Sequence, residues 1–476
     1  MPGHAPFVHP AAAVAAFEDH EEPLTASMAT LLMHADEPDV RINPNHPIAP
    51  DLQLSTTYRT PHPTSRLAAS SEGDIDYANP PGHIYSRYTS DTRGRVERVL
   101  SEIMGGKAIT YASGLNAAYA VAILYQPTTI ALRRGYFGCH ESFAVYARTK
   151  GNVNFIDLDA PYPASTPSSP LLVWLETPLN PSGEARDITH YAKLAHKAGG
   201  TLAIDSTFAP PPLQNPFDQG ADCVMHSGTK YFGGHSDLLM GVVAVKDAKA
   251  AAGLWHDRTY IGSAPGNLES YLMLRSLRTL TVRVKRQSES AEALANWLWA
   301  LCHRNATLDA SKLTPEDASI RSSGIVGWVS HSSLQPRSAD QQDPITGKPA
   351  EAVGFDPRLQ MPGGHTPTFA IRLDGPQNKG GNRAAWLPHL TSFWLPATSL
   401  GGVESLIEHR IAAEPSEDPG TIRLSVGLEE VEDLKNDLRR ALQRVLALEK
   451  EQNGLVWQRE GEWQKRQHNG TGGTEI

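Results

Sequence analysis

Between Tyr85 and Asp247 the apolar positions fall into short, β-branched runs separated by stretches of longer period. The runs are AITYAS (108–113), TTIAL (128–132), VNFIDL (153–158), LLVWLET (171–177), TLAIDST (201–207), DCVMHS (222–227) and GVVAVK (241–246). Unbroken apolar runs of this length, bounded by turn residues, read as strands buried on both faces. Segments between them, such as Asp187–Ala198, repeat apolar residues at helical spacing in the pattern IxxYAxLAxxA. Strand runs alternating with helices predict an α/β fold built on a mostly parallel seven-stranded sheet.

The pattern changes beyond residue 266. Residues 267–302 read as one long helix or two in tandem, with Leu272, Leu274, Leu277 and Leu280 on the apolar side. Residues 305–366 are rich in Pro, Gly, Ser and Asp, which predicts a long irregular excursion with one strand at 325–330. FAIRL (369–373) and TIRLSV (421–426) read as strands, and 433–449 as an amphipathic closing helix. The chain thus divides into an N-terminal arm (1–83), a large domain (84–270), a smaller C-terminal α/β domain with its linking helix (271–450) and a disordered tail (451–476).

Charge and cysteine content narrow the function. A formal net charge of -9 argues against a nucleic-acid partner, because phosphate backbones require a basic face. Three dispersed cysteines, Cys139, Cys223 and Cys302, show no metal-ligand spacing and no disulfide framework. No metal is expected, and a reducing cytoplasm is the expected location. No apolar stretch approaches the roughly 18 residues a membrane helix needs.

Candidate chemistry gathers at the ends of the predicted strands, where α/β folds place ligands. Ser113-Gly114-Leu115 closes a strand and opens a helix, a turn that offers free amides to a phosphate. Asp205 ends TLAIDST, where a carboxylate could keep a pyridine nitrogen protonated. Lys230 follows a strand in MHSGTKYFGGHSD, flanked by the hydroxyls of Ser227 and Thr229. Pro178 and Pro181 bracket a turn that would present Asn180. Taken singly these features have plain readings: a helix cap, a turn aspartate, a surface lysine and a rigid loop. Their order and joint occurrence give them weight.

The blocks YASGL (111–115), ETPLNP (176–181), AIDSTFAPPPLQNPFDQGAD (203–222), HSGTKYFGGHSDLLMG (226–241), SLGGVESLIEH (399–409) and IRLSVGLEEVEDL (422–434), with STTY (55–58) and YSR (85–87), carry a clear likeness. Through them the chain resembles the transsulfuration (Cys/Met metabolism) family of fold-type I pyridoxal-phosphate enzymes, which includes the cystathionine synthases and lyases. The resemblance spans roughly residues 28–449.

The resemblance implies a site, residue by residue. Lys230 would carry pyridoxal 5'-phosphate through its ε-nitrogen. Asp205 would pair with the ring nitrogen, with Thr207 beside it. The amides of Gly114 and Leu115, with Ser227 and Thr229, would hold the phosphate. Tyr136 would stack on the ring and assist Lys230 in moving protons, and Asn180 would meet the phenolic oxygen. Tyr85 and Arg87 would reach the phosphate of a neighbouring subunit, implying a homo-oligomer, by family habit a dimer of dimers. Arg423 would clamp the α-carboxylate of a small amino-acid substrate, with Ser399 lining the same place.

The implied activity is that of a carbon–sulfur lyase on cystathionine-like thioethers. The alternatives are γ-replacement on an O-acyl-homoserine and, from another class, a silent paralogue that binds cofactor in a structural or regulatory role. The sequence departs from the family at Ser90-Asp91-Thr92, where an Asn-Pro-Thr run is usual. It departs again at 410–417, where a Met-Thr-His stretch is usual. The second change bears on the distal substrate pocket.

Overall fold

A computed structural model describes residues 26–36, 48–62, 64, 82–306, 308–335, 355–375 and 380–451. All seven expected strands of the first sheet form, interleaved with helices. The order is α1 (Met28–His34), α2 (Asp91–Met104), β1 (Lys107–Tyr111), α3 (Gly114–Tyr125), β2 (Thr129–Leu132), α4 (Phe137–Lys150), β3 (Asn154–Asp157) and β4 (Leu171–Glu176). It continues with α5 (Ile188–Lys197), β5 (Thr201–Asp205), β6 (Cys223–Ser227), β7 (Gly241–Val245) and α6 (Ala248–Ile261). The sheet runs β1-β7-β6-β5-β4-β2-β3, and only β7 is antiparallel to its neighbours.

Alternation along these strands explains why they read as continuously apolar. Leu202 and Ile204 of β5 enter one core layer while Ala203 enters the other. Val242 and Ala244 of β7 likewise oppose Val243 and Val245. With helices on both faces, the central strands are apolar at nearly every position and the period of two disappears from the sequence.

The predicted long helix is two, α7 (Asn267–Leu277) and α8 (Leu280–Leu301), broken at Arg278–Thr279. Within α8 the packing passes from one core to another: Leu280 and Val284 belong with the first sheet, Ala291 to Leu301 with the second. The second sheet follows α9 (Pro315–Ser322) and contains β8 (Val326–Ser330) and, after α10 (Pro357–Gln360), β9 (Thr368–Leu373). After α11 (Gly380–Trp386) come β10 (Leu395–Pro396), β11 (Leu406–His409), β12 (Thr421–Ser425) and the closing helix α12 (Val431–Glu451). Its strand order is β10-β11-β12-β9-β8. Leu434, Leu438, Ala441, Leu442, Val445 and Leu448 form the buried stripe of α12, at the three- and four-residue spacing an amphipathic helix requires.

Two expectations need correction. The 305–366 stretch is not irregular throughout: α9 lies within it, capped by the Thr314 hydroxyl, which accepts from Asp317 N at 3.2 Å, with Pro315 in its first turn. A proline there sacrifices no hydrogen bond. The N-terminal segment also does more than trail as an arm, since Leu31 and Leu32 of α1 are buried and Asp36 pairs with buried Arg95 at 2.6 Å. The expected disordered tail from 451 onward lies, but for Glu451, outside the described residues.

Candidate active site

The strand ends of the first sheet and the loop before β11 enclose a cavity of about 460 Å³. Gly114, Leu115, Tyr136, Asn180, Asp205, Thr207, Ser227, Thr229, Lys230, Ser399 and Arg423 all line it. Three further residues that the sequence reading did not single out as site residues, Glu176, Arg410 and Ala413, line it as well.

Asp205 ends β5 and is buried. Its Oδ1 accepts from Thr207 N at 3.0 Å and from Thr207 Oγ1 at 2.6 Å. Thr207 Oγ1 in turn accepts from Ser227 N at 2.9 Å, so a turn of β5 is fixed to the end of β6. Among the described residues nothing donates to Asp205 Oδ2, which leaves that oxygen available to a ligand. Burial raises the Asp205 pKa, while the two Thr207 bonds act against that rise. A buried carboxylate in this condition gains most from a cationic partner.

Glu176 ends β4 directly opposite Asp205 in the parallel register. Its Oε2 accepts from Tyr136 N at 2.7 Å and its Oε1 from Asn180 N at 2.8 Å. Burial, and then the Asp205 charge, push its pKa up. Glu176 therefore holds two other site residues by their backbones. Two carboxylates ending runs in LLVWLE and TLAID were visible in the sequence, and the signal lay in their adjacency across neighbouring parallel strands.

Lys230 lies just past β6, on the turn closed by Lys230 N to Ser227 O at 3.1 Å. Its Nζ donates to Ser399 Oγ at 2.8 Å. Burial, followed by the Arg423 charge, lowers its pKa from 10.5 to about 8, with Glu408 opposing. A lowered pKa raises the neutral fraction of the amine near physiological pH, and the neutral form is what a carbonyl-capturing lysine requires. The SLGG turn that carries Ser399 sits hard against this lysine. Gly401 has φ +78°, and a Cβ there would lie 2.8 Å from Tyr231 N and 3.0 Å from the Lys230 carbonyl carbon. Ser399 itself holds φ +85°, a conformation rarely adopted by non-glycine residues and concentrated at functional sites.

At the other end of the cavity, α3 begins at Gly114. Ser113 Oγ accepts from Asn116 N at 3.1 Å and caps the helix, so the Gly114 and Leu115 amides remain in the unpaired first turn. A Cβ on Gly114 would come within 2.9 Å of Ser227 Oγ, so the missing side chain leaves a cradle beside a hydroxyl. Free amides, a helix dipole and a hydroxyl suit a phosphate. Thr229 is less free, since its hydroxyl accepts from Met240 N at 3.0 Å.

Arg423 of β12 is buried, and its Nη1 donates to Asn180 Oδ1 at 3.0 Å and its Nη2 to Ser399 O at 2.8 Å. Asn180 therefore orients the guanidinium in this structure. Glu408 Oε2 forms an ion pair with Arg423 Nη2 at 2.5 Å and accepts from Arg410 Nη1 at 3.0 Å. Burial lowers the Arg423 pKa to about 10.

Tyr85 and Arg87 are not brought to this cavity. They line a separate depression with Gln53, Thr56 and Asn267, and Arg87 lies over the Tyr88 ring at 4.9 Å. Cys139 is buried at the cavity wall with its thiol pKa raised, which leaves it without nucleophilic character. Buried His226 packs on Phe232, its pKa lowered to about 3 by burial. The described residues contain no group of three or more metal-ligating side chains, and no described helix is long and apolar enough to cross a membrane.

A carboxylate oxygen without a donor, a cradled helix start and a lowered lysine converge on one cavity, and together they fit pyridoxal phosphate. Comparison with known proteins agrees. Residues 29–303 match the Cys/Met metabolism PLP-dependent enzyme family, and the chain belongs to that family. Pyridoxal 5'-phosphate is accordingly its cofactor and it is an enzyme of transsulfuration type. The chain is 31% identical over 418 residues to cystathionine gamma-synthase of Escherichia coli (strain K12), covering 82% of this chain and 92% of that one. It is 31% identical over 442 residues to cystathionine gamma-lyase of Dictyostelium discoideum, covering 89% and 99%. The structure of apo CalE6, a methionine gamma lyase from Micromonospora echinospora, superposes with a TM-score of 0.69 at 29% identity, covering 88% of this chain and 99% of that one.

Proposed function

We propose that this protein is a carbon–sulfur lyase that acts on thioether amino acids of the cystathionine kind. The observation that carries the reading is a single cavity in which Lys230, with its lowered pKa, faces Asp205 and lies one residue contact, through Ser399, from Arg423. In this reading Arg423 binds the α-carboxylate with a planar fork matched to its geometry. That contact sets Cα beside Lys230 Nζ, whose neutral amine takes the Cα proton. Pyridoxal phosphate, when bound, supplies the sink for the electron pair so released. Asp205 Oδ2 keeps the ring nitrogen protonated, and Gly114, Leu115 and Ser227 hold the phosphate. Thr229 supports the same end, and Tyr136 covers the ring and relays a second proton when the leaving thiol sits on Cγ. Tyr85 and Arg87 complete the phosphate site of a second copy of the chain, which makes the working enzyme a homo-oligomer.

A second reading, γ-replacement, is favoured by the fact that a cystathionine gamma-synthase and a cystathionine gamma-lyase match at the same 31% identity. The two are separated by incubating the enzyme with cystathionine alone and, in parallel, with an O-acyl-homoserine plus cysteine. Cleavage of cystathionine supports the lyase. Turnover of the second mixture alone overturns it in favour of replacement.

A further inference from the structure

Arg410 begins the short turn after β11 and is 5% exposed, yet lines the same cavity as Lys230 and Tyr136. A guanidinium carries five N–H donors. Arg410 makes a single side-chain hydrogen bond among the described residues, Nη1 to Glu408 Oε2 at 3.0 Å. Its Nε is enclosed with no hydrogen-bond partner among the described residues. The Glu408 oxygen it uses is shared with Arg423, so one carboxylate is divided between two buried cations. Glu414 and Glu417 lie nearby in the same turn, but neither forms an ion pair with Arg410 among the described residues. Burying a cation with most of its donors unused is costly unless an anion arrives to take them.

The position of this second cation is informative. Arg423 acts electrostatically on both Lys230 and Tyr136, and Arg410 acts on Tyr136 and Glu176. Arg410 stands beside the Arg423 clamp, on the same Glu408 oxygen, where Ala413 also contributes to the cavity wall. A substrate held at Arg423 by its α-carboxylate extends its side chain away from that clamp.

We propose that Arg410 binds a carboxylate at the far end of the substrate's side chain, so that the enzyme selects amino acids with a second anionic group over uncharged thioethers. The proposal rests on the function given above and names its substrate class. Glu408 then acts as a positioning residue that holds both guanidinium groups at a fixed separation.

The test is a pair of titrations on the holoenzyme, followed by the absorbance of the bound cofactor, with L-2-aminoadipate and its uncharged counterpart L-norleucine. A charge-assisted contact predicts that aminoadipate binds about 10- to 150-fold more tightly. In Arg410→Met that ratio should fall toward one, and in Arg410→Lys it should be partly restored. Equal affinity in the wild type overturns the proposal, whether or not Arg410→Met folds. Equal weakening of both ligands by Arg410→Met also overturns it, because Arg410 would then belong to the α-carboxylate clamp. Absence of the preference in the wild type, with thioether cleavage intact, counts against the Arg410 proposal alone. An intact preference, with no thioether cleaved, counts against the lyase reading alone.

Discussion

Lys230 Nζ and Ser399 Oγ meet at 2.8 Å, a bond between residues 169 positions apart that ties the first sheet to the loop between β10 and β11 of the second. Two further contacts close the same seam: Tyr231 Oη with Thr368 Oγ1 at 2.7 Å, and Gln287 Nε2 to Gly402 O at 2.7 Å. Lys230 thus sits where two cores are fastened together, which holds its amine in place and partly shields it from water. Dehydration in turn lowers its pKa.

That lowered pKa sets a pH dependence. The amine captures an aldehyde only when neutral, and a pKa moved down from 10.5 to about 8 brings the neutral form within reach at lower pH. The rate at which apoenzyme takes up pyridoxal phosphate should rise with pH, reach half its limit near pH 8 and then level. Stopped-flow absorbance measures it. A rate still climbing toward pH 10 would mean that Lys230 is unperturbed.

Asp205→Asn should retain cofactor and lose catalysis. The amide fills the same space beside Thr207 but cannot stabilise a protonated ring nitrogen. Loss of one preorganised electrostatic partner costs on the order of 10²–10³ in kcat. The parallel readout is the cofactor spectrum, which should be displaced from that of the wild type while cofactor content stays the same.

Gly401→Ala tests the close packing behind Lys230. The added Cβ would lie 2.8 Å from Tyr231 N, at a φ of +78° that alanine rarely adopts. A destabilisation of about 1–3 kcal/mol is expected from strain and overpacking. Urea denaturation reads the stability, and cofactor titration should show weaker loading.

Glu408→Gln should be among the most destabilising changes near the site. It leaves the buried Arg410 and Arg423 guanidinium groups facing each other without their shared anion. Removing one partner of a buried ion pair costs about 3–5 kcal/mol. The double variant Glu408→Gln with Arg410→Met should recover part of that loss, and urea midpoints of the three proteins decide it.

The sequence revealed most where chemistry and burial reinforce each other. The central strands of the first sheet were legible because burial on both faces makes them almost continuously apolar, while the edge strand β3 (NFID) is mostly exposed. β11 was not, because LIEH carries Glu408 inward to an arginine pair instead of an apolar side chain. α9 was masked by the Pro- and Ser-rich composition around it, although Thr314-Pro315-Glu316-Asp317 spells a capped helix start. Eleven of the residues singled out for the site share one cavity, which Asp205 and Ser227 reach from the strand ends. Tyr85 and Arg87 lie in a separate depression. Glu176 and Arg410 escaped notice as site residues because their roles depend on contacts across strands, which linear spacing does not encode.

The central claim is that the cofactor is held through Lys230. Borohydride reduction of the holoenzyme, followed by proteolysis and mass spectrometry, tests it directly. A single phosphopyridoxyl group on the peptide containing Lys230, absent in Lys230→Ala, is the predicted result. Unmodified Lys230 in a protein reduced with saturating cofactor would contradict it.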